Sequence, residues 1–210
     1  MAQKFGIKTG TITAPFDEGL RYLMNEGCRI ISLEDAARLR VENGINSEFC
    51  KKILIVREGF VRVPGVGDFL TKKSPIIMRA KQAAGCHGKE EEFYLRDYLS
   101  EEQINRILDE RNGNAIQILD EKIPTDEFED NRLTRFAFGK FARDYGDFLR
   151  KNGIHEITLF VPEQNYVQNY EAFARQVILM KIENGYDSAI DCDRKELHLS
   201  VRIFGVVSDD

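Results

Sequence analysis

An acid-x-lysine pair at the end of an apolar segment is of the kind that metal-dependent phosphodiester hydrolysis uses. Asp120 and Lys122 end the apolar segment "IQILDEK", and Asp109 lies eleven residues earlier. Restriction-type nucleases place such carboxylates around Mg²⁺, while the lysine polarises the phosphate or the attacking water. Here Asp109 falls in the predicted helix "INRILDERNG" and not on a strand, so a solvated strand end is favoured. A Mg²⁺-dependent nuclease or phosphohydrolase is therefore kept as the alternative function.

A second group of residues could hold a metal ion near the C-terminus. Asp191, Cys192 and Asp193 precede His198 by five to seven positions, across a predicted tight turn. A strand histidine that faces solvent and acids that decorate a turn explain the same pattern. The sequence therefore predicts no metal ion and no cofactor.

The cysteines offer little redox or nucleophilic chemistry. The four residues, at positions 28, 50, 86 and 192, form no CxxC pair. Cys86 stands beside His87, but adjacent side chains are poorly placed for a thiol and its base, and no third orienting group is identifiable. We expect four free, buried thiols, as is common in intracellular proteins.

Positive charge concentrates in residues 51–89, which hold nine Lys and Arg and only two acids. This surplus predicts a binding site for an anionic, phosphate-bearing ligand, and the protein is interpreted as a non-catalytic binding module. The candidate ligand-binding residues are Arg57, Arg62, Gly65, Gly67, Lys72, Lys73 and Arg175. A small molecule and a nucleic acid are both open as partners, although an overall charge of −5 is unusual for a nucleic-acid domain.

An acidic segment could neutralise this surplus. Residues 120–130 contain six acids and one base. The two segments could meet within one subunit or across a homo-oligomer, so a purely structural homo-oligomeric protein is a third hypothesis.

The stretch "FVRVPGVGDFLT", residues 60–71, carries the Gly-rich part of the basic segment. It lacks the Gly-Lys-Ser/Thr of a P-loop and the third glycine of a dinucleotide fingerprint. β-forming residues precede it, so a helical DNA-binding hairpin is also disfavoured. Val63-Pro64-Gly65-Val66 instead has Pro and Gly at the central positions of a type II turn. The stretch predicts a β-turn between two strands.

Composition and patterning set the frame around these residues. The longest aliphatic runs have four residues, far short of the roughly 20 that a membrane span needs. "MAQKFGIKTG" does not resemble a secretory signal, so a cytoplasmic protein is expected, with no membrane partner. No linker or internal repeat divides residues 1–210, which favours one domain.

Helical and strand patterns mix without a regular βαβ rhythm, which predicts an α+β fold with a mixed or largely antiparallel sheet and several helices. Ser32 with Asp35, and Ser100 with Gln103, predict capping boxes. Residues 133–149 have one apolar face and predict a long helix. Residues 175–182 predict a strand that turns at Asn184-Gly185 and begins a C-terminal β-meander over 175–207.

Overall fold

The computed structural model describes residues 9–88, 91–163, 171–182, 188–194 and 199–207. The strands are β1 (Thr9–Pro15), β2 (Cys28–Ile30), β3 (Leu54–Val63), β4 (Gly67–Thr71), β5 (Phe93–Tyr94), β6 (Ala115–Ile118), β7 (Glu121–Pro124), β8 (Glu156–Phe160), β9 (Phe173–Leu179), β10 (Ala189–Arg194) and β11 (Ser200–Val207). The helices are α1 (Phe16–Asn25), α2 (Leu33–Asn43), α3 (Glu48–Lys51), α4 (Pro75–Met78), α5 (Ala80–His87), α6 (Leu95–Tyr98), α7 (Glu101–Ile107), α8 (Arg132–Phe138) and α9 (Ala142–Lys151). The α+β fold class is confirmed.

The larger sheet has the strand order β6-β4-β3-β9-β10-β8-β7, and β5 adds to β9. Its pairings are antiparallel except for β10 with β8, so the sheet is mixed. β6 and β7 are its two edge strands, yet only residues 119 and 120 join them. Seven flat strands about 4.8 Å apart would separate those edges by roughly 29 Å. Two linking residues span no more than about 11 Å, so the sheet must curl until its edges nearly meet.

The curled sheet encloses the larger of two apolar cores. Every strand of its main path contributes side chains to this core, together with α2, α8 and α9. Strand β9 has all seven residues buried, since Phe173 and Val177 face this core while Ala174 and Ile178 face a second core that includes residues of α1 and α5. Burial on both faces explains why residues 177–180 form an apolar run instead of alternating. The predicted strand is confirmed.

One fully buried cation ties the larger core together. Arg40 of α2 donates to the carbonyl oxygens of Phe49 (2.9 Å) and Met180 (2.6 Å) and to the hydroxyl of Tyr145 (2.7 Å). Among the described residues no carboxylate pairs with it. Hydrogen bonds to neutral oxygens thus replace the ion pair that a buried arginine usually has.

The last strand departs from the predicted meander. β9 and β10 are antiparallel neighbours, but β11 pairs with β1 and β2 in a separate three-stranded sheet, ordered β1-β11-β2. The Asn184-Gly185 turn lies outside the described residues. In this position Ile203 of β11 lies close to Gly19 of α1, and Phe204 packs against Phe49 of α3. The third meander strand was therefore a wrong prediction.

The long helix predicted over 133–149 is also wrong in its continuity. A 3₁₀ turn at Gly139–Phe141 divides α8 from α9, and the backbone φ of 55° at Gly139 is outside the helical region. The predicted apolar face is nevertheless buried, with Leu133, Ala137, Tyr145 and Leu149 in the larger core.

Local sequence signals predicted several smaller features correctly. Both capping boxes form, with Ser32 accepting from the amide of Asp35 and Ser100 from that of Gln103. The turn after β3 is confirmed, because the amide of Val66 donates to the carbonyl of Val63 (3.0 Å) and Gly65 has a φ of 75°. All four cysteines are free and buried, as expected. Among the described helices, none has the length and apolar composition to cross a bilayer.

Candidate ligand-binding cavity

A cavity lies between the small sheet and the basic segment. It has a volume of about 730 Å³, and its walls come from α1, β2, β3 and the segment from Lys73 to Lys81. This size suits a drug-sized ligand. Its charged wall residues are Asp17, Arg21, Arg29, Arg57, Lys73 and Lys81. Its main apolar wall residues are Leu20, Met24, Ile30, Ile77 and Met78.

A β-bulge in β3 turns Arg57 toward this cavity. Between Ile55 and Gly59, strand β3 advances four residues while its partner β9 advances two, from Ile178 to Gln176. The buried amide of Gln176 fills the bulge by donating to the carbonyls of residues 56 (2.6 Å) and 58 (3.1 Å). A bulge re-aims the side chains around it. Arg57 therefore lines the cavity next to α1.

Close packing on Gly59 brings the second basic residue beside Arg57. The amide of Ser74 donates to the carbonyl of Arg57 (3.0 Å). A Cβ at position 59 would lie 2.6 Å from the Cα of Ser74, so only glycine permits this approach. Lys73, the residue before Ser74, consequently lines the same cavity.

Arg57 has unused hydrogen-bonding capacity. Its side chain is 37% exposed, and its buried Nε has no hydrogen-bond partner among the described residues. Its nearest described counter-charge is Glu58, with 4.0 Å between Nη2 and Oε1. A buried N–H donor without an acceptor is costly. The exposed part of the side chain lines the cavity, where an oxygen-bearing ligand can contact it.

Glu58, the next residue of β3, is the described counter-charge of Arg57. Its carboxylate is fully buried and accepts a hydrogen bond from the amide of Leu33, the first residue of α2 (2.9 Å). Burial raises its pKa to about 7, although the Leu33 amide and the Arg57 charge act against this rise. The negative charge opposite Arg57 is thus weakened near neutral pH.

The other cations of the wall divide into neutralised and free groups. Arg21 pairs with Asp17 (3.6 Å), and Arg29 pairs with Asp35 (2.5 Å). Burial opposes ionisation of Asp35, but hydrogen bonds from Arg29 and Ser32 outweigh it and lower the pKa of Asp35.

Lys73 and Lys81 have no carboxylate partner among the described residues. Five cations therefore face three nearby carboxylates, those of residues 17, 35 and 58, which leaves a surplus of two positive charges.

A smaller cavity of about 190 Å³ adjoins the first, and Lys73 and Met78 line both. Lys72 and Arg106 are its other cations. Lys72 already donates to the carbonyl of Phe136 and lies 4.4 Å from the centre of that ring. Burial lowers the pKa of Lys72, and the bond to Phe136 already uses part of its hydrogen-bonding capacity.

The remaining predicted ligand residues lie outside both cavities. Arg62 donates to both carboxylate oxygens of Asp68 (2.6 and 2.7 Å), and buried Arg175 pairs with Glu92 (2.6 Å) and Asp193. Gly65 and Gly67 shape the β3–β4 turn. Of the seven candidates, the structure brings only Arg57 and Lys73 together in the larger cavity. Arg62 and Arg175 are committed to internal ion pairs.

The hydrolase residues belong to separate local interactions. Helix α7 ends at Ile107, so the prediction that Asp109 is helical is wrong; its carboxylate accepts from the side-chain amide of Asn112 (2.6 Å). Lys122 pairs with Glu156 (2.5 Å), and Asp120 lies in the β6–β7 connection. Their common catalytic role stays a prediction.

The metal hypothesis has a similar outcome. Across the described ranges, no group of three His, Cys, Asp or Glu side chains is placed to hold a metal ion. Cys192 is buried, and burial raises its thiol pKa well above the ordinary value. His198 is outside the described residues, as is the side chain of His87.

The described ion pairs do not join the acidic segment, residues 120–130, to the basic segment, residues 51–89. Glu129 pairs with Arg143 (3.7 Å), whereas the basic segment forms its ion pairs internally, as in Arg57 with Glu58.

Sequence reasoning missed most of the cavity wall. Arg21 and Met24 lie on a helix whose positions 17, 20, 21 and 24 share one face, a spacing that could have been noticed. Gln176 directly precedes the apolar run of residues 177–180 in the sequence. Its contact with a bulge 120 positions away had no sequence signal.

No protein-family model matches the sequence, and no curated protein matches it either. The chain is similar to a solved structure from Nanoarchaeota, in which massive sequence variation is accommodated by the C-type lectin fold. The two superpose with a TM-score of 0.68 over 96% of this chain and 99% of that one, at 10% sequence identity. At this identity the likeness shows a shared fold: the architecture described above is that of a C-type lectin fold.

Proposed function

We propose that the protein is a binding module that holds an anionic ligand with an apolar portion in the cavity between α1 and α5. The observation that carries the proposal is Arg57. The bulge of β3 presents this guanidinium to the cavity, and its Nε has no described partner. An anionic oxygen in this partly desolvated cavity would form charge-assisted hydrogen bonds with the guanidinium, and such bonds are strong.

The charge balance of the wall also favours an anion. Lys73 and Lys81 are the surplus cations; both are exposed, and they line the cavity together with apolar residues such as Leu20, Ile30 and Ile77. A neutral ligand would leave this charge uncompensated, and a cation would be repelled. Within the basic segment, we therefore propose Arg57 and Lys73 as the residues that bind the anionic group of the ligand.

The fold itself does not choose the ligand. In the similar nanoarchaeal protein the C-type lectin fold accommodates massive sequence variation. Function resides in sites that a fold carries and not in the fold. The ligand therefore has to be argued from this chain's own cavity. Because the four thiols are free, we also propose that the module acts in the cytoplasm.

A matched pair of fluorescent probes tests the proposal. 1-Anilinonaphthalene-8-sulfonate and N-phenyl-1-naphthylamine share their rings, but only the first carries an anionic sulfonate. We expect the sulfonate probe to bind more tightly. Its advantage should fall about three- to tenfold in Arg57→Met and in Lys73→Met.

Lys151→Met is the control, because Lys151 is exposed at the end of α9, outside the cavity. Equal binding of the two probes, or the same loss in all three variants, would overturn the proposal.

A further inference from the structure

The geometry points to one class of ligand for this cavity: an amphiphile with an aliphatic chain and a single anionic headgroup. This inference rests on the proposed function and adds the chemical nature of the ligand's apolar portion. It also decides between the two phosphate-bearing partners that the sequence left open, a small molecule and a nucleic acid.

The first argument is the absence of aromatic side chains from the described wall of the cavity. Proteins that bind nucleotides or single strands commonly stack bases on aromatic rings, at about 1–3 kcal/mol per base. This wall offers Leu20, Ile30 and Ile77, which make good van der Waals contacts with a hydrocarbon chain and give a base no platform.

The second argument is the pair of exposed methionines in the wall of the cavity. Met24 is 74% exposed and Met78 is 37% exposed, although both side chains are strongly apolar. Thioether side chains are flexible and adapt to ligands of irregular shape. A hydrocarbon chain lying against them would remove this apolar surface from water.

Helix α1 gives the chain its direction. Residues 17, 20, 21 and 24 follow one face of the helix over a rise of about 10 Å. Asp17 and Arg21 neutralise each other on this face, and Leu20 and Met24 form the apolar stripe beside them. The wall along α1 is therefore apolar and locally neutral, as a hydrocarbon chain requires.

The headgroup belongs at the other wall. Lys73 lies where the two cavities adjoin, and Arg57 lies beside it because Ser74 packs on the bulge. Two cations are therefore available at this wall for one charged headgroup. The smaller cavity leaves room for a headgroup as large as a phosphate.

Displacement of the bound sulfonate probe tests this inference. The competitors are dodecyl phosphate below its micelle concentration, dodecanol, inorganic phosphate and adenosine monophosphate. We expect dodecyl phosphate to compete best, because it alone has both chain and headgroup. Shortening the chain should weaken competition, by up to about fourfold per buried methylene.

A second arm separates the two sources of such a molecule. Co-sedimentation with phosphatidylcholine vesicles that contain phosphatidate tests a membrane lipid, and the soluble alkyl phosphate tests a free one. Binding in either arm supports the inference.

Matched variants locate the chain. Met24→Gln should weaken dodecyl phosphate binding about three- to tenfold and leave the weak competition by adenosine monophosphate unchanged. Leu119→Gln is the control, since Leu119 is equally exposed at 74% but lies in the β6–β7 connection. Both side chains are on the surface, so both variants should fold.

The inference is overturned if adenosine monophosphate competes better than dodecyl phosphate, or if both glutamine variants behave alike. Either result could occur while the sulfonate probe still depends on Arg57 and Lys73, so failure here is distinguishable from failure of the proposed function.

Discussion

Glu58 offers the most quantitative test of the electrostatics beneath the cavity. In the folded protein its pKa is raised to about 7, against an ordinary value of 4.5, because the carboxyl is fully buried. The folded state therefore binds this proton more tightly than the unfolded state. Below about pH 4.5 the group is neutral in both states and costs nothing. The penalty grows as pH rises and is complete above about pH 7.

The size of the penalty follows from the two pKa values. The difference between a pKa of about 7 in the folded state and 4.5 in the unfolded state corresponds to about 3 kcal/mol of stability lost at alkaline pH. Glu58→Gln removes the ionisable group and keeps an oxygen that can accept from the amide of Leu33. We expect the stability of the variant relative to the natural protein to rise by about 2–3 kcal/mol between pH 5 and pH 8.5.

Urea denaturation at several pH values measures this difference. Glu102→Gln is the control, because its carboxylate is 82% exposed and pairs only with Arg106 on the surface of α7. Its effect should change little with pH. A stability difference for Glu58→Gln that is constant from pH 5 to 8.5 would refute the reasoning, since it would mean that Glu58 titrates alike in both states.

Three further outcomes follow from the contacts described. Arg40→Met should lower the free energy of unfolding, measured by urea denaturation, by about 3 kcal/mol or more, because it leaves buried oxygens without hydrogen-bond donors. A loss below about 1 kcal/mol would contradict the role given to Arg40. Gly59→Ala should lower the free energy of unfolding by about 1–3 kcal/mol through overpacking. Gly85→Ala should be neutral or stabilising in the same assay, because a Cβ at position 85 would meet no atom within 4 Å. The sulfonate probe should bind more tightly at pH 6 than at pH 8, because protonation of Glu58 removes a negative charge near the bound probe. Glu58→Gln should abolish this pH dependence in a fluorescence titration. An unchanged pH dependence in the variant would show that another group causes it.

The parts of the fold that local signals specify were predictable from sequence. Ser32 with Asp35 makes a capping box within four residues, and Val63-Pro64-Gly65-Val66 makes its turn without help from distant residues. The strand at β9 was predictable because four apolar residues in a row cannot share one helix face.

Features that depend on distant contacts were not predictable. The curl of the sheet and the exchange of β11 into a second sheet depend on packing across the whole chain. Basic residues looked equivalent in the sequence. Only their partners distinguish Arg62, which Asp68 neutralises, from Arg57, which a bulge filled by Gln176 turns toward the cavity.

The central claim is that an anion binds between α1 and α5, and mapping by nuclear magnetic resonance tests it most directly. Backbone amide shifts of the ¹⁵N-labelled protein would be followed during titration with dodecyl phosphate. The largest changes should fall in residues 17–30, at Arg57 and in residues 73–81. They should be reduced in Lys73→Met and retained in Lys151→Met. Changes centred instead on the β3–β4 turn or on β6 and β7, with residues 73–81 unaffected, would contradict the account.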